Sequence, residues 1–243
     1  MADMTASAII TAGGKGMRFG GGAPKQFAAL GGKPLLAHSV EAFSSLDIIG
    51  EIVLVAPADW IEHAEREIAG IAGSKVSRVI PGGPERQHSV ENGLGALSGS
   101  TDIVVIHDGV RPFAEPSLIE EVIREAYVHG AALAALPAGD TVKKADASGI
   151  VETTIPRDTL WLAQTPQAFR YGLLKEAFGR ARTDGFVATD EALLVERIGG
   201  SVKLVAGSPY NIKITTREDL VLGELILSLR KAGANSGANE RGK

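Results

Sequence analysis

The chain has 243 residues, 44% hydrophobic and 22% charged, with a net charge of −4 and no cysteine. Such a length and composition suit a soluble domain with a sizeable core and exclude a mostly disordered chain. The acidic balance gives nonspecific nucleic-acid binding no support, the lack of cysteine rules out disulfides, thiolate metal sites and cysteine nucleophiles, and no apolar run reaches the roughly 20 residues that would span a bilayer.

The first residues, Met1 to Gly14, lack the basic segment that opens a signal peptide, so the expected location is cytoplasmic. β-Rich runs then recur along the chain at Ser7–Ile10, Glu51–Val55, Lys75–Ile80, Asp102–Asp108, Ala131–Leu136 and Ser201–Val205. Helical spacing lies between them, as in Leu36, Val40 and Phe43 and again in Val90, Leu94 and Leu97. Ser117 with Glu120 reads as a capping box that opens a helix through Tyr127, and Thr215 with Glu218 as a second box before a C-terminal helix. Alternation of this kind predicts an α/β fold, a mostly parallel sheet flanked by helices.

One segment breaks the rhythm. Asp140 to Pro156 holds two polar, β-branched runs around Asp146–Gly149, the pattern of a protruding β-hairpin arm. With few apolar residues of its own, the arm is expected to pack on something else, such as a second subunit. Residues 234–243 form a polar tail expected to be flexible, which leaves 1–233 as one domain with the arm included.

The chemistry concentrates in loops that follow strands. Thr11 to Phe27 carries six glycines together with Lys15, Arg18 and Lys25. Glycines let backbone N–H groups close on an anion, and Arg18 and Lys25 can neutralise phosphate charge. The loop is neither a dinucleotide fingerprint, since Phe19 stands where GxGxxG needs glycine, nor a Walker A loop. Asp108 ends a buried-type strand, where ligands of open α/β sheets bind, and its carboxylate suits Mg²⁺. The alternative is an Asp108 that caps the next turn and pairs with Arg111. Gly82, Gly83, Arg86 and Ser89 sit at a strand-to-helix junction fit to hold a base or sugar, Arg157 and Thr165 flank an apolar stretch, and Lys213 in Asn211–Thr215 is of the type that usually snorkels at an edge. The histidines, His38, His63, His88, His107 and His129, show no metal-ligand spacing, and no Ser-His-Asp set stands out.

Taken in order, Thr11–Phe27, Gly82–Val90, His107–Pro112, Leu160–Phe169, Thr189–Glu196 and Asn211–Leu220 resemble the corresponding blocks of the 2-C-methyl-D-erythritol 4-phosphate cytidylyltransferases. The resemblance implies a Rossmann-like nucleotidyltransferase fold, a homodimer with exchanged arms, and transfer of CMP from CTP to a sugar-alcohol phosphate with release of pyrophosphate. It also implies no nucleic-acid or membrane partner. By motif, Ala12, Gly13, Gly14, Arg18 and Lys25 would cradle the CTP phosphates, with Arg18 and Lys25 catalytic. Gly83 and Ser89 would contact the nucleoside, and Asp108 the Mg²⁺. Gly109, Arg111, Thr141, Arg157, Thr165 and Lys213 would handle the acceptor, with Thr141 and Arg157 supplied by the arm of the second subunit. The chain departs from the pattern in its run of Gly20–Gly22 and in Gly109, where alanine is commoner. A ribitol 5-phosphate cytidylyltransferase and a noncatalytic nucleotide-binding regulator are the competing readings. A phosphate monoester is already an anionic nucleophile, so cations and a metal, rather than a general base, would do the catalytic work.

Overall fold

The computed structural model describes residues 4–14, 23–99 and 101–239, with side chains as far as Ala232. Arg18 and the glycines from Gly20 to Gly22 lie outside the described residues. In chain order the elements are β1 (Ala6–Thr11), β2 (Ala29–Leu30), β3 (Lys33–Pro34), α1 (Leu35–Ser44), β4 (Ile49–Ala56), α2 (Ile61–Ala69), β5 (Val76–Pro81), α3 (Arg86–Ala96) and β6 (Ile103–Asp108). They continue with α4 (Pro116–His129), β7 (Ala131–Pro137), β8 (Val142–Ala145), β9 (Val151–Ile155), β10 (Trp161–Arg170), α5 (Tyr171–Asp184), α6 (Glu191–Arg197), β11 (Val202–Ala206) and α7 (Arg217–Asn239).

Successive side chains of a strand point to opposite faces, and β1 shows how that builds two cores. Ala8 and Ile10 face a cluster with Leu36, Val40 and Phe43 of α1 and Ile119, Val122 and Ile123 of α4. Ile9, on the other face, packs with Val90 and Leu94 of α3 and Leu174 and Phe178 of α5. Strands buried on both faces read as continuous apolar runs, which is why β4, β6 and β7 were legible in the sequence. The main sheet has the order β11-β7-β10-β6-β1-β4-β5. β1 lies parallel between β4 and β6, β5 joins β4 in parallel, and β11 joins β7 in parallel.

The strand of the main sheet that sequence reasoning missed is β10, which runs antiparallel to both β6 and β7. Its ladder to β7 breaks between Ala163 and Gln167, the stretch where Pro166 lacks an N–H to donate. Both capping boxes need correction. The residue before α4 is Glu115, without a side-chain cap, and Pro116 takes the first turn, so Ser117 is already inside the helix. Before α7 the box sits one residue later: Thr216 Oγ1 accepts from Asp219 N at 3.3 Å, and Asp219 Oδ2 accepts from Thr216 N at 2.8 Å. α7 continues through Asn239, into the polar tail.

The arm is a hairpin of β8 and β9, exposed for nearly all of its length. At its tip Asp146 Oδ1 accepts from Ser148 N and Ile150 N, both at 2.9 Å, and so fixes the turn. At its base Ala138 N donates to Leu160 O at 2.9 Å.

Candidate active site

After β1 the chain moves outward through β4 and β5, then returns to the other side of β1 as β6. The loops leaving the carboxyl ends of β1 and β6 therefore diverge at a switch point, where open α/β sheets bind ligands. A cavity of about 470 Å³ occupies that position. Thr11 to Gly14 line it from β1, Lys25 and Gln26 from the 3-10 turn that follows the glycine loop, and Gly83 to Arg86 with Ser89 from the start of α3. Asp108, Val110 and Lys213 complete it.

The loop after β1 is held at both ends of its described part. Ala12 N donates to Val55 O at 2.7 Å, and the buried Gln26 amide donates to the carbonyl of Ala12 and, at 3.3 Å, to that of Gly14. On the opposite wall a Cβ on Gly83 would stand 2.4 Å from the Cβ of His88, so only glycine fits there. Gly83 N donates to Ser89 Oγ at 3.0 Å, and Ser89 Oγ donates to Glu85 O at 3.1 Å. The serine hydroxyl thus shapes the turn that forms the wall.

Asp108 is the electrostatic centre. Its Oδ2 lies 2.8 Å from Lys213 Nζ and 3.7 Å from Arg111 Nε, and its Oδ1 lies 3.2 Å from Arg86 Nε. Burial pushes the carboxyl up, but the charges of Arg86, Lys213 and Arg111 outweigh it and hold Asp108 well below the usual carboxylate range. The Arg111 contact is an ion pair without a hydrogen bond through Nε; its Nη1 donates to Asn211 O at 2.7 Å. Asn211, fully buried, donates to Thr165 O at 2.9 Å and fixes the segment that carries Lys213. Lys213 is therefore no snorkelling edge lysine.

A second chain of bonds supports Asp108 from behind. Its N–H donates to Thr165 Oγ1 at 3.0 Å, and that hydroxyl lies 3.1 Å from His107 Nδ1. His107 Nε2 is 3.1 Å from the Arg111 carbonyl, which can only accept, so the proton is on Nε2 and Nδ1 accepts from Thr165. Burial pushes the imidazole down to about 4, which keeps it neutral.

The structure thus gathers Ala12, Gly13, Gly14, Lys25, Gly83, Ser89, Asp108 and Lys213 around one cavity. Gly109 and Arg111 stand beside it. Gly109 N donates to Thr11 O at 2.9 Å, and a Cβ there would come within 3.2 Å of Ile10, tight but near what an alanine tolerates. Thr165, 4% exposed, braces Asp108 and does not line the cavity. Thr141 and Arg157 are exposed at the arm and away from the cavity of their own chain, and Arg157 donates to the Gly139 carbonyl. Arg86, read from the sequence as part of a wall that could hold a base or sugar, lines the cavity beside Gly83 and Ser89 and also bridges Asp108 and Glu191, with Glu191 Oε2 at 2.6 Å from Nη1. Glu191 itself, Gln26 and His107 were missed. A buried glutamate at a helix start leaves no periodic trace, and its partner is 105 residues away.

Among the described residues no three His, Asp or Glu side chains cluster as a metal-binding group. Asp108 nevertheless suits Mg²⁺ delivered with a nucleotide. It is one ionised carboxylate on the cavity wall, and Mg²⁺ takes its other ligands from phosphate oxygens and water.

A family model described as 2-C-methyl-D-erythritol 4-phosphate cytidylyltransferase matches residues 6–229. A protein of that name from Geobacter metallireducens is 44% identical over 228 residues, covering 92% of this chain and 98% of its own. One from Geobacillus kaustophilus is 45% identical, covering 94% and 100%. Among solved structures, the 4-diphosphocytidyl-2C-methyl-D-erythritol synthase of Anaerococcus prevotii superposes with a TM-score of 0.83 at 32% identity, over 93% of this chain and 96% of its own.

Proposed function

We propose a division of labour in this cavity from the premise that the chain belongs to the 2-C-methyl-D-erythritol 4-phosphate cytidylyltransferase family. It transfers CMP from CTP to 2-C-methyl-D-erythritol 4-phosphate, giving 4-diphosphocytidyl-2-C-methyl-D-erythritol and pyrophosphate in the non-mevalonate route to isoprenoid precursors. A phosphate oxygen of the acceptor attacks the α-phosphorus of CTP in line as the bond to the leaving pyrophosphate breaks. The acceptor oxygen carries no proton that must be removed, so no residue serves as base.

The obstacle is the meeting of two anions, and the site answers with fixed positive charge. In our reading Gly13 and Gly14 present backbone N–H groups to the phosphates, and Arg18 and Lys25 meet the charge that grows at the α-phosphate. Asp108 would hold Mg²⁺, which would supply positive charge to the phosphate oxygens. Lys213, steered by Asp108, orients the acceptor phosphate. Gly83 and Ser89 form the wall on which the nucleoside lies.

The acceptor side is completed by a homodimer with exchanged arms, in which the arm of a second copy brings Thr141 and Arg157 to this cavity. Two features support that reading: within one chain neither residue lines the cavity, and the arm leaves Ile150 and Val151 66% and 54% exposed. The proposed location is the cytoplasm; no helix among the described residues is long and apolar enough to cross a membrane.

The observation that carries the mechanism is the meeting of a cavity lined by Gly13, Gly14 and Lys25 with the Lys213–Asp108–Arg86 cluster at the switch point. Pyrophosphate release from CTP, measured with 2-C-methyl-D-erythritol 4-phosphate and separately with ribitol 5-phosphate, tests it. Release with the first acceptor is expected. Release with ribitol 5-phosphate alone would change the acceptor, and CTP binding without release from either would make the protein a nucleotide-binding regulator.

A further inference from the structure

Glu191 is the first residue of α6, 1% exposed, and no step of the transfer calls on it. Its two carboxylate oxygens lie 2.7 and 2.6 Å from Arg86 Nη1, while Arg86 Nε lies 3.2 Å from Asp108 Oδ1. One planar guanidinium therefore joins a buried carboxylate that never meets the cavity to one that lines it.

We propose that Glu191 is a positioning residue for cytidylyl transfer, acting through Arg86 to hold the Asp108 carboxylate in its working orientation. This inference rests on the reading of the cavity given above. Three observations carry it. First, Glu191 is anchored where it cannot drift: Asp190, the residue before it, accepts from Leu193 N at 3.1 Å and from Gln167 Nε2 of β10 at 3.0 Å. Second, a carboxylate buried for stability alone is a poor choice, since well-packed apolar residues usually serve as well or better. Burial pushes Glu191 up against the pull of Arg86, a cost that the chain carries at this position.

Third, the balance of charge depends on it. Arg86, Arg111 and Lys213 converge on Asp108, so three cations face one carboxylate unless Glu191 takes part of the charge of Arg86. Without Glu191, Arg86 is free to rotate about the Asp108 contact and to close on Oδ1, the oxygen whose contacts among the described residues are Arg86 and a 3.5 Å approach from Thr11 Oγ1. Oδ2 already faces Lys213 and Arg111, so Oδ1 is the oxygen whose approach Arg86 would control.

The test is a double-mutant cycle on the complete enzyme with CTP, Mg²⁺ and 2-C-methyl-D-erythritol 4-phosphate, with kcat, both KM values and a thermal melt recorded for each variant. Glu191→Gln and Arg86→Ala are each expected to lower kcat by about 10–100-fold, the usual toll of removing a partner behind a ligand. The KM for CTP should change by less than the kcat does. The combined variant should be no slower than Arg86→Ala alone, because residues in one network are not additive. Normal kcat in a folded Glu191→Gln protein, or losses that multiply in the combined variant, would overturn the proposal. Should the glutamine variant fail to fold, Glu191→Asp decides. It keeps the charge but withdraws the carboxylate by one methylene, and is expected to lower kcat at a nearly unchanged melting temperature; an unchanged kcat rejects the positioning role. Wild-type turnover, read in the same assay, separates the two levels: a silent wild type sinks the functional reading itself, and an active wild type with indifferent variants sinks only Glu191.

Discussion

The side-chain amide of Gln26 reaches back to the carbonyl of Ala12, so the turn that carries Lys25 is tied to the end of β1. Because a peptide unit is planar, a carbonyl held toward Gln26 sends the N–H of Gly13 the opposite way. The bond thus fixes the cradle and the position of its lysine together. Lys25→Ala is expected to lower kcat by roughly 10²–10³ with a much smaller effect on CTP binding, since the charge that Lys25 meets grows in the transition state. Steady-state kinetics beside CTP calorimetry check this, and near-normal turnover by the folded variant removes Lys25 from the catalytic set.

Asp108→Asn keeps the shape of the side chain and loses the charge that gathers Arg86 and Lys213 and that would hold Mg²⁺. Magnesium-dependent turnover should be abolished while circular dichroism stays that of the wild type. If instead the magnesium optimum is unchanged, Asp108 serves only to hold Arg86 and Lys213 and does not bind the metal.

The exchanged-arm reading places Arg157 and Lys25 of any one site on different chains. Arg157→Ala and Lys25→Ala proteins, each inactive alone, should regain activity when mixed under conditions of subunit exchange. Each heterodimer then has one site with both lesions and one with neither, for about half of wild-type activity as an isologous pair requires. Exchange verified by mass labelling without recovery would put both residues of a site on the same chain and remove the exchanged-arm reading.

His107 sets a pH dependence of stability. Its folded value of about 4 lies below the ordinary 6.5, so its contribution is fully present above 6.5 and is lost as pH falls toward 4, where the unfolded chain takes the proton first. The full gap is worth on the order of 3 kcal/mol. Denaturant titrations of the metal-free protein between pH 7 and 4 should show this decline, and His107→Gln should flatten it even if it lowers stability throughout. Equal slopes in the two proteins would mean that His107 takes up its proton in the folded state as easily as in the unfolded one.

The parts of the molecule written in the sequence were those with local causes. β1, β4, β6 and β7 are apolar on both faces and declare themselves, and Gly83 marks a place where backbone must come close. β10 did not, because Pro166 and the polar Gln164, Thr165 and Gln167 disguise a strand whose burial comes from neighbours far along the chain. The same distance hid the link from Asp108 through Arg86 to Glu191. Arg86 was legible as a charged residue near a helix start, but its partners belong to β6 and α6, and nothing local to α3 names them. Thr165 was noted beside its apolar stretch and given an acceptor role by the resemblance, and its bond to the Asp108 N–H gives it a bracing role that no spacing could reveal.

The chain leaves β7 at Pro137, makes the arm, and re-enters as β10 at Trp161, which pairs with Pro137 itself. The excursion is stitched shut at its base by Ala138 and Leu160, so the sheet does not depend on what the intervening residues are. Evolution is thereby offered two separately editable texts: a nucleotide end written in the loops of β1, β5 and β6, and an insert between β7 and β10 that can lengthen, shorten or change character without rewriting the first.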